Sequence, residues 1–373
     1  MEQNVFCSFY KNTVLSYPKN IQNRFCKRLV DRNIITNDET SEKIENVFYV
    51  PQKQDTEVTI GQLAENITYA YVFEELEFTK LYKYSIPLMF EYKSDTDNID
   101  SIIENLSSTA SIVEFKTEKS FVPEYDIADE LYNATPLYMK EGSNYCIKFV
   151  IQQDFLTDRF ETIDYRYPII IYINTEEKLL DIRFDGLKYK LEGQSTIEWF
   201  NKIYKDCISW IEENLKVTIF KCDNCNMYES IKSEKTGKVK ICRQMMTLAT
   251  GGSADLKAAD NEDNPTLPFV DEIRELINEN ATLFEKSPEI KALLTKYIDD
   301  KEDTADYPYI YIKCINEIAS QNFLVKITSS YVCGNMTLQY LSGSNNKMGM
   351  ERMNYVIGFL KKIDAITKGE SIS

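Results

Sequence analysis

The clearest alternation of hydrophobic and polar positions lies between residues 144 and 192. Four runs rich in β-branched and aromatic residues are separated there by short polar breaks: NYCIKFVIQQ, RYPIIIYIN, KLLDIRFDG and LKYKLE. This pattern predicts an antiparallel meander, with a hairpin loop at 174–177 between the second and third runs. The run at 169–173 has no polar alternation, so we expect it in a central strand that is covered on both faces.

Helical periodicity flanks this meander. Ser195 and Glu198 form a capping-box sequence, and apolar residues follow at helical spacing, which predicts a helix that covers the sheet. Residues 18–35 also read as an amphipathic helix. The extended run at 81–93 contains Pro87, which cannot donate a hydrogen bond within a sheet, so we expect an edge strand, a bulge or two strands there.

The C-terminal third has its own pattern. Residues 269–284 carry apolar side chains on one helical face, and Ser287 with Pro288 starts a second helix, so the pair is predicted to be an αα-hairpin. Three strand-like segments and a helix at 350–367 follow, which we interpret as a βββα unit. The 18 residues before this part, 249–266, are small, polar and acidic, and are predicted to be a linker.

These elements predict an α+β protein in four parts, because a chain of 373 residues is too long for one ordinary core. An α+β domain with an antiparallel meander occupies 1–215. A ribbon-like basic hairpin is expected at 216–248, the acidic linker at 249–266, and the αα-hairpin with the βββα unit at 267–373.

The chain contains no histidine. This absence excludes Ser-His-Asp and Cys-His nucleophile pairs, His-containing zinc sites and proton transfer through imidazole. Chemistry based on carboxylates and a metal ion is the main enzymatic route that the composition leaves open.

The net charge limits the kinds of partner that the protein can bind, and the cysteines indicate the compartment in which it folds. The net charge of −16, from 43 basic and 59 acidic side chains, disfavours the surface as a whole as a nucleic-acid or membrane binder. The N-terminus has no pattern of a secretion signal, no apolar run is long enough to span a membrane, and nine scattered cysteines fit a reduced compartment. We therefore expect a cytoplasmic protein without membrane contact.

A damaged metal-site pattern lies in the third quarter of the chain. Cys222 and Cys225 form a C-x-x-C pair, and Cys242 follows after a spacer of 16 residues, which fits a zinc ribbon, but Met245 stands where a fourth thiolate is required. Three interpretations stay open: a degenerate ribbon that keeps the hairpin without metal, a zinc site completed by a distant Cys or Asp, and chance. A thiol-redox role for the pair is disfavoured because a hairpin, not a helix, is expected after it.

The same segment is the most basic part of the chain, with seven Lys and Arg against three Asp and Glu over 215–248. It provides a candidate binding surface for phosphates, or a surface that meets the acidic 249–306 region of the same chain. The candidate binding residues are Lys232, Lys235, Lys238, Lys240 and Arg243.

Glu114 and Lys116 form a Glu-x-Lys pair on a predicted strand, the spacing that restriction-type nucleases use to combine a metal-binding carboxylate with a catalytic lysine. Asp97 and Asp100 are the closest upstream candidates for the further carboxylate, although they precede a predicted helix and do not lie at the end of the adjoining strand. The Glu-x-Lys pair is the best enzymatic hypothesis, and it would require Mg²⁺.

The favoured interpretation is a non-enzymatic interaction or regulatory subunit of a cytoplasmic prokaryotic or mobile-element assembly, with antiphage defence as a guess about its context. It expects a protein partner or self-assembly and no cofactor. The alternatives are a metal-dependent nuclease using Glu114 and Lys116, and a nucleic-acid-binding module acting through 215–248. The sequence leaves the partner, the oligomeric state and the binding of zinc undetermined.

Overall fold

The computed structural model describes most of the chain. The described ranges are residues 11–38, 47–51, 54–63, 70–117, 130–156, 162–187, 195–258, 269–316, 321–341 and 349–372. The helices are α1 (Lys19–Asp31), α2 (Thr56–Leu63), α3 (Ala70–Thr79), α4 (Ile99–Ser108), α5 (Thr196–Asn214), α6 (Asn224–Lys232), α7 (Val270–Glu279), α8 (Ala281–Glu285), α9 (Pro288–Asp303) and α10 (Met350–Lys362). The strands are β1 (Ile35–Thr36), β2 (Phe48–Tyr49), β3 (Tyr84–Tyr92), β4 (Val113–Glu114), β5 (Leu137–Glu141), β6 (Asn144–Leu156), β7 (Thr162–Asn174), β8 (Leu179–Phe184), β9 (Val217–Cys222), β10 (Val239–Thr247), β11 (Ser253–Lys257), β12 (Tyr309–Asn316), β13 (Gln321–Val332), β14 (Asn335–Tyr340) and β15 (Lys368–Ser371).

One large sheet dominates the structure and makes the protein α+β. Within the described ranges its strand order is β11-β10-β12-β13-β14-β3-β8-β7-β6-β5-β4, and β9 pairs with both β3 and β15. Neighbouring strands are antiparallel except β4 and β5. The first three runs of the predicted meander are confirmed as β6, β7 and β8, and the loop at 174–177 closes the β7–β8 hairpin at the pair Asn174 and Leu179. Apart from residue 187, the fourth run at 187–192 lies outside the described residues. The predicted C-terminal strands are confirmed as β12, β13 and β14, which join the same sheet through β3.

Pro87 marks a branch in this sheet. On one side of β3, Ser85 pairs with β14 while Leu88 and the residues after it pair with β9, so Pro87 lies where the neighbouring strand changes. On the other side of β3, residues Tyr84 to Met89 pair with β8. A residue without an N–H is tolerated at such a change of partner, so the run at 81–93 forms one internal strand and not the edge strand, bulge or strand pair that we expected.

Helices cover both faces of the sheet. On one face α5 packs on β3, β6, β7 and β9 through Phe200, Ile203 and Ile211, in a core that includes Ile169 and Ile171. The capping box predicted at the start of α5 is present, because Ser195 accepts a hydrogen bond from the Glu198 N–H and Glu198 accepts one from Ser195. Helices α6 and α10 cover the opposite face of the C-terminal strands in a second core. The N-terminal helices α1 to α3 enclose a third core.

The ribbon-like hairpin predicted for 216–248 is wrong. Strand β9 is followed by helix α6, and β10 then pairs with β11 and β12 and not with β9. Met227, Tyr228 and Ile231 recur at helical spacing and are buried in the second core, so tertiary packing favours a helix there. The turn that the sequence indicates in this segment lies after the helix, where Gly237 has a φ of +70°.

The predicted linker also contains ordered structure. Residues 253–257 form β11 along β10, and a turn with Gly251 at a φ of +85° connects the two strands. Residues 259–268 lie outside the described part of the chain. Within the described ranges, none of the helices has the length and apolar content that crossing a membrane requires.

Candidate interaction surfaces

Cys222 and Cys242, the two cysteines of the predicted metal pattern whose side chains are described, are each hydrogen-bonded to a backbone carbonyl. The Cys222 thiol in β9 donates a hydrogen bond to the Pro87 carbonyl at 3.2 Å, and the Cys242 thiol in β10 donates to the Tyr311 carbonyl at 3.4 Å. Burial raises the pKa of both thiols, which disfavours the thiolate form that binds zinc. Among the described side chains no group of three or more Cys, Asp and Glu has metal-binding geometry, and the side chain of Cys225 lies outside them.

The argument against a redox role for the same pair rested on a hairpin after Cys225, and this expectation is wrong. A strand followed directly by a helix is the arrangement that redox C-x-x-C pairs use, and β9 followed by α6 provides it. The raised pKa of Cys222, which burial causes, opposes thiolate formation there. Cys222 is therefore not the electropositive, accessible thiol that redox chemistry requires.

The structure brings two of the candidate nuclease residues to one groove. Asp100 in α4 and Glu114 in β4 both line an open groove of about 470 Å³ that also contains Tyr145. Lys140 lies 2.9 Å from the Asp100 carboxylate, and the Tyr145 hydroxyl also donates to it. These two hydrogen bonds hold the pKa of Asp100 below its usual value. Lys116 is exposed after β4 and is not among the residues that line the groove.

The basic segment is divided between two sides of the sheet. Lys232 at the end of α6 forms an ion pair with Glu302 at 2.9 Å, and Arg243 in β10 forms one with Asp255. Both acids belong to the 249–306 region, so these two residues meet the acidic part of their own chain. The candidate residues Lys235, Lys238 and Lys240 follow α6, with Lys235 exposed in the turn.

A buried ionic cluster joins the N-terminal helices to the sheet. Glu74 and Glu77, one helical turn apart in α3, meet Lys148 from β6 and Arg166 from β7, and all four side chains are fully buried. Arg166 binds the two oxygens of Glu74 at 2.8 and 3.1 Å and Glu77 at 2.7 Å. The Tyr17 hydroxyl donates to Glu77 at 2.9 Å. Two acids and two bases balance in charge, which is the condition for burying such groups.

This cluster was missed in the sequence, although a signal existed. Lys148 and Arg166 interrupt two strands at positions that alternation assigns to a covered face, and Glu74 and Glu77 share one helical face. Only the complementary charge of the two elements, considered together, indicates that α3 covers these strands. The cluster positions the N-terminal helices on the sheet. Tyr17, which belongs to the cluster, also lines a cleft of about 740 Å³ together with Asp185 and Lys83.

Among the described residues, half of the exposed large apolar side chains lie on residues 269–303, which we call the helical arm. It consists of α7, α8 and α9, and its base is held by buried Val270, Ile277 and Ile298. Six large apolar side chains of the arm are between 48% and 69% exposed: Phe269, Leu276, Leu283, Ile290, Leu293 and Tyr297. Ile290, Leu293 and Tyr297 are three and four residues apart and therefore share one exposed face of α9. A group of exposed apolar side chains marks an interaction site more often than scattered single residues do.

Ion pairs also hold the helices together at the base of the arm. Arg274 in α7 lies 3.1 Å from Asp299 in α9 and also contacts Glu302, whose side chain is buried. Burial of the Arg274 guanidinium lowers its pKa, and its bonds to Glu302 and Asp299 more than compensate, so the net pKa is raised. These contacts fix α7 against α9 and thereby fix the direction in which the apolar residues face.

The sequence contained a clear signal for this surface. Phe269, Leu276, Leu283, Ile290 and Tyr297 recur at every seventh position. Helical periodicity assigned four of these residues, all except Leu283, to the apolar faces of an αα-hairpin, but periodicity does not say whether a face is covered by the same chain. No protein-family model matches this chain, and no curated protein matches it.

Proposed function

We propose that this protein is a non-enzymatic interaction subunit that binds a partner protein through the helical arm. The observation that carries the proposal is the set of six exposed large apolar side chains on 269–303. Leu283 and Leu293 are 62% and 69% exposed. Exposure of apolar surface to water is unfavourable in free energy, and a partner that covered these side chains would remove this cost.

The charge of the arm defines the chemistry of this partner. Ten acidic and five basic side chains lie on 269–303, so the apolar residues are surrounded by net negative charge. A second copy of the arm would be repelled, whereas a partner with an apolar contact surface bordered by Lys and Arg would be attracted. The partner is therefore a different, basic protein surface, and the assembly is proposed to be cytoplasmic.

The test compares two pairs of substitutions in the full chain. Leu283→Ser with Leu293→Ser should abolish stoichiometric recovery of a partner in affinity purification from the native host, because it removes apolar contact area without removing core residues. The matched control Tyr132→Ser with Val58→Ser removes apolar side chains that are 78% and 51% exposed outside the arm, and it should leave recovery intact.

Two results would contradict the proposal. Equal recovery of the partner by the arm variant and the control would remove the arm from the interface. A sedimentation experiment in which the purified chain self-associates through the arm, with association lost in the arm variant, would replace the basic partner by a second copy. Association with the partner should weaken at high salt, because the rim of the arm acts through charge.

A second candidate function, metal-dependent phosphodiester cleavage, is favoured by the common groove of Asp100 and Glu114. Incubation of the protein with DNA and RNA in the presence of Mg²⁺ or Mn²⁺ tests it. Cleavage that is lost in both Glu114→Gln and Lys116→Ala would establish the nuclease and overturn the non-enzymatic assignment. We place it second because Lys140 and Tyr145 already bind the Asp100 carboxylate.

A further inference from the structure

The cleft of about 740 Å³ lies where helix α1 meets the large sheet. Its walls are formed by residues 15–22, by residues 81–83 before β3, by residues 185–187 after β8, and by parts of β7 and β14. Pockets with a volume of about 300–1,000 Å³ hold small molecules in proteins. The proposed interaction through the helical arm does not use this cleft.

Three of the tyrosines that line the cleft contribute their rings and not their hydroxyl groups. The Tyr17 hydroxyl donates to the Glu77 carboxylate at 2.9 Å, and the Tyr82 hydroxyl donates to the Glu77 carbonyl at 2.7 Å. The Tyr167 hydroxyl donates to the Asp185 carbonyl at 2.5 Å. Because these hydroxyls are bound within the protein, the surface that the tyrosines offer to the cleft is aromatic, and Leu and Pro residues complete the lining. Such a lining fits a planar, apolar molecular body.

Lys83 provides a positive charge at the cleft that has no ionic partner among the described residues. Its side chain is exposed, and its ammonium lies 5.3 Å from the centre of the Tyr84 ring. Asp185 is already paired with the buried Lys80, and it also accepts a hydrogen bond from the Lys83 backbone N–H at 3.1 Å. The absence of a side chain at Gly186 makes room for Lys83, because a Cβ there would lie 3.3 Å from the Lys83 Cδ and Nζ.

Lys19 and Glu57 are the other charged residues of the described lining. They form an ion pair of 3.0 Å, which Asp55 joins at 3.3 Å from Lys19. The three side chains are 53–60% exposed, so water and salt screen the single negative charge that they leave. The charge that the cleft offers to a ligand is therefore that of Lys83.

Gln22 provides a buried acceptor that lacks a hydrogen bond. It lies in α1, lines the cleft and is 3% exposed. Its amide nitrogen donates to the Tyr17 carbonyl at 2.9 Å and to the Leu15 carbonyl at 3.3 Å, and these bonds fix the orientation of the amide. The amide oxygen, Oε1, has no hydrogen-bond partner within the described part of the chain. An unpaired buried acceptor costs free energy, which a ligand N–H or O–H would recover.

We propose that this cleft binds a small aromatic monoanion, namely a carboxylate whose ring system carries an N–H or O–H donor. The tyrosine rings receive the aromatic body, the Lys83 ammonium receives the carboxylate, and Gln22 Oε1 accepts the hydrogen of the donor. One unpaired ammonium compensates one negative charge, whereas a phosphate monoester carries about −1.5 to −2 at pH 7 and fits less well. An aliphatic carboxylate would leave the rings and the Gln22 acceptor unused.

The test measures the binding of indole-3-acetate to the full chain by isothermal titration calorimetry. This probe combines an aromatic ring, a carboxylate and an N–H, and we expect saturable binding of one molecule per chain. The analogue 1-methylindole-3-acetate lacks only the N–H, and it should bind about tenfold more weakly because the Gln22 acceptor stays unpaired. Tryptamine carries an ammonium in place of the carboxylate and should not bind.

Two lysine variants separate the role of Lys83 from that of the net charge. Lys83→Gln should weaken the binding of indole-3-acetate about tenfold, because it removes a charge-assisted hydrogen bond, and should leave the binding of neutral indole unchanged. Lys178→Gln is the matched control, because Lys178 is also exposed and its ammonium lies 5.9 Å from the ring centre of Tyr92, outside the cleft. It changes the net charge equally and should leave both affinities unchanged.

Four results would overturn the proposal. They are the absence of saturable binding of indole-3-acetate at millimolar concentrations, equal affinity for tryptamine or for the methylated analogue, equal weakening by the two lysine variants, and tighter binding of adenosine monophosphate. The last result would assign the cleft to phosphate monoesters. These results are independent of partner recovery through the arm, and the arm variant Leu283→Ser with Leu293→Ser should bind indole-3-acetate as the unsubstituted chain does.

Discussion

Arg166 binds both carboxylate oxygens of Glu74, at 2.8 and 3.1 Å, in a site from which water is excluded. This pair joins strand β7 to helix α3 and is the centre of the buried ionic cluster. A guanidinium and a carboxylate in this bidentate geometry form one of the strongest hydrogen-bonded contacts available to a protein. The position of the N-terminal helices on the sheet therefore depends on charge as well as on apolar packing.

Glu74→Gln should destabilise the protein strongly. The substitution leaves the positive charges of Arg166 and Lys148 buried without full compensation, a change that costs about 3–5 kcal/mol. The neighbouring Glu75→Gln is the matched control, because Glu75 pairs at 2.7 Å with Arg32, whose side chain is 40% exposed, and such pairs contribute at most about 1 kcal/mol. Urea denaturation of both variants measures the difference. Equal effects would show that the cluster is not excluded from water in solution.

Because Glu74 is ionised in the folded state, we also expect the free energy of unfolding to fall in acid. Burial alone would raise the pKa of Glu74, but Arg166 and Lys148 lower it from 4.5 to about 2. A carboxyl whose pKa is lowered by folding stabilises the folded state above its unfolded pKa, and this contribution is lost as the pH falls from about 4.5 towards 2. The loss is on the order of 3 kcal/mol. Melting curves from pH 6 to pH 2 measure it, and an unchanged stability between pH 4.5 and pH 2.5 would contradict the assignment.

The sequence predicted local elements better than their environment. Ser195 and Glu198 predicted the start of α5 because a capping box depends on four neighbouring residues alone. Alternation and turn chemistry likewise predicted the β7–β8 hairpin. The helix α6 was missed because three apolar residues, Met227, Tyr228 and Ile231, fit either structure until the sheet that buries them is known.

For the candidate sites too, the sequence predicted some of the residues but not the neighbours that the fold brings to them. Asp100 and Glu114 were proposed together from sequence order, and they do line one groove, but the bonds of Lys140 and Tyr145 to Asp100 come from other strands. Arg243, Tyr311 and Lys326 lie side by side on three neighbouring strands, although they are far apart in the chain. No spacing rule detects a surface that is created by pairing between distant strands.

Thiol labelling should distinguish two cysteines. Cys222 is buried and its raised pKa keeps the thiol protonated. Cys333 is only partly buried: burial raises its pKa as well, and the nearby Lys205 and Lys221 oppose that rise. A short pulse of N-ethylmaleimide on the native protein, read by peptide mass spectrometry, should modify Cys333 well before Cys222. Full unfolding in urea is the control and should equalise the two rates. Rapid native labelling of Cys222 would instead reopen the thiolate-based interpretations.

The helical arm permits a comparison within one helix. In α9, Ile298 is 3% exposed and Leu293 is 69% exposed. Ile298→Ala should cost about 2–4 kcal/mol because it creates a cavity at the base of the arm, whereas Leu293→Ala should change the free energy of unfolding by less than about 0.5 kcal/mol. Urea denaturation at two protein concentrations tests both. A large cost of Leu293→Ala that grows with concentration would mean that a second copy covers this side chain, while a small cost at both concentrations leaves the apolar face of the arm open for a different partner.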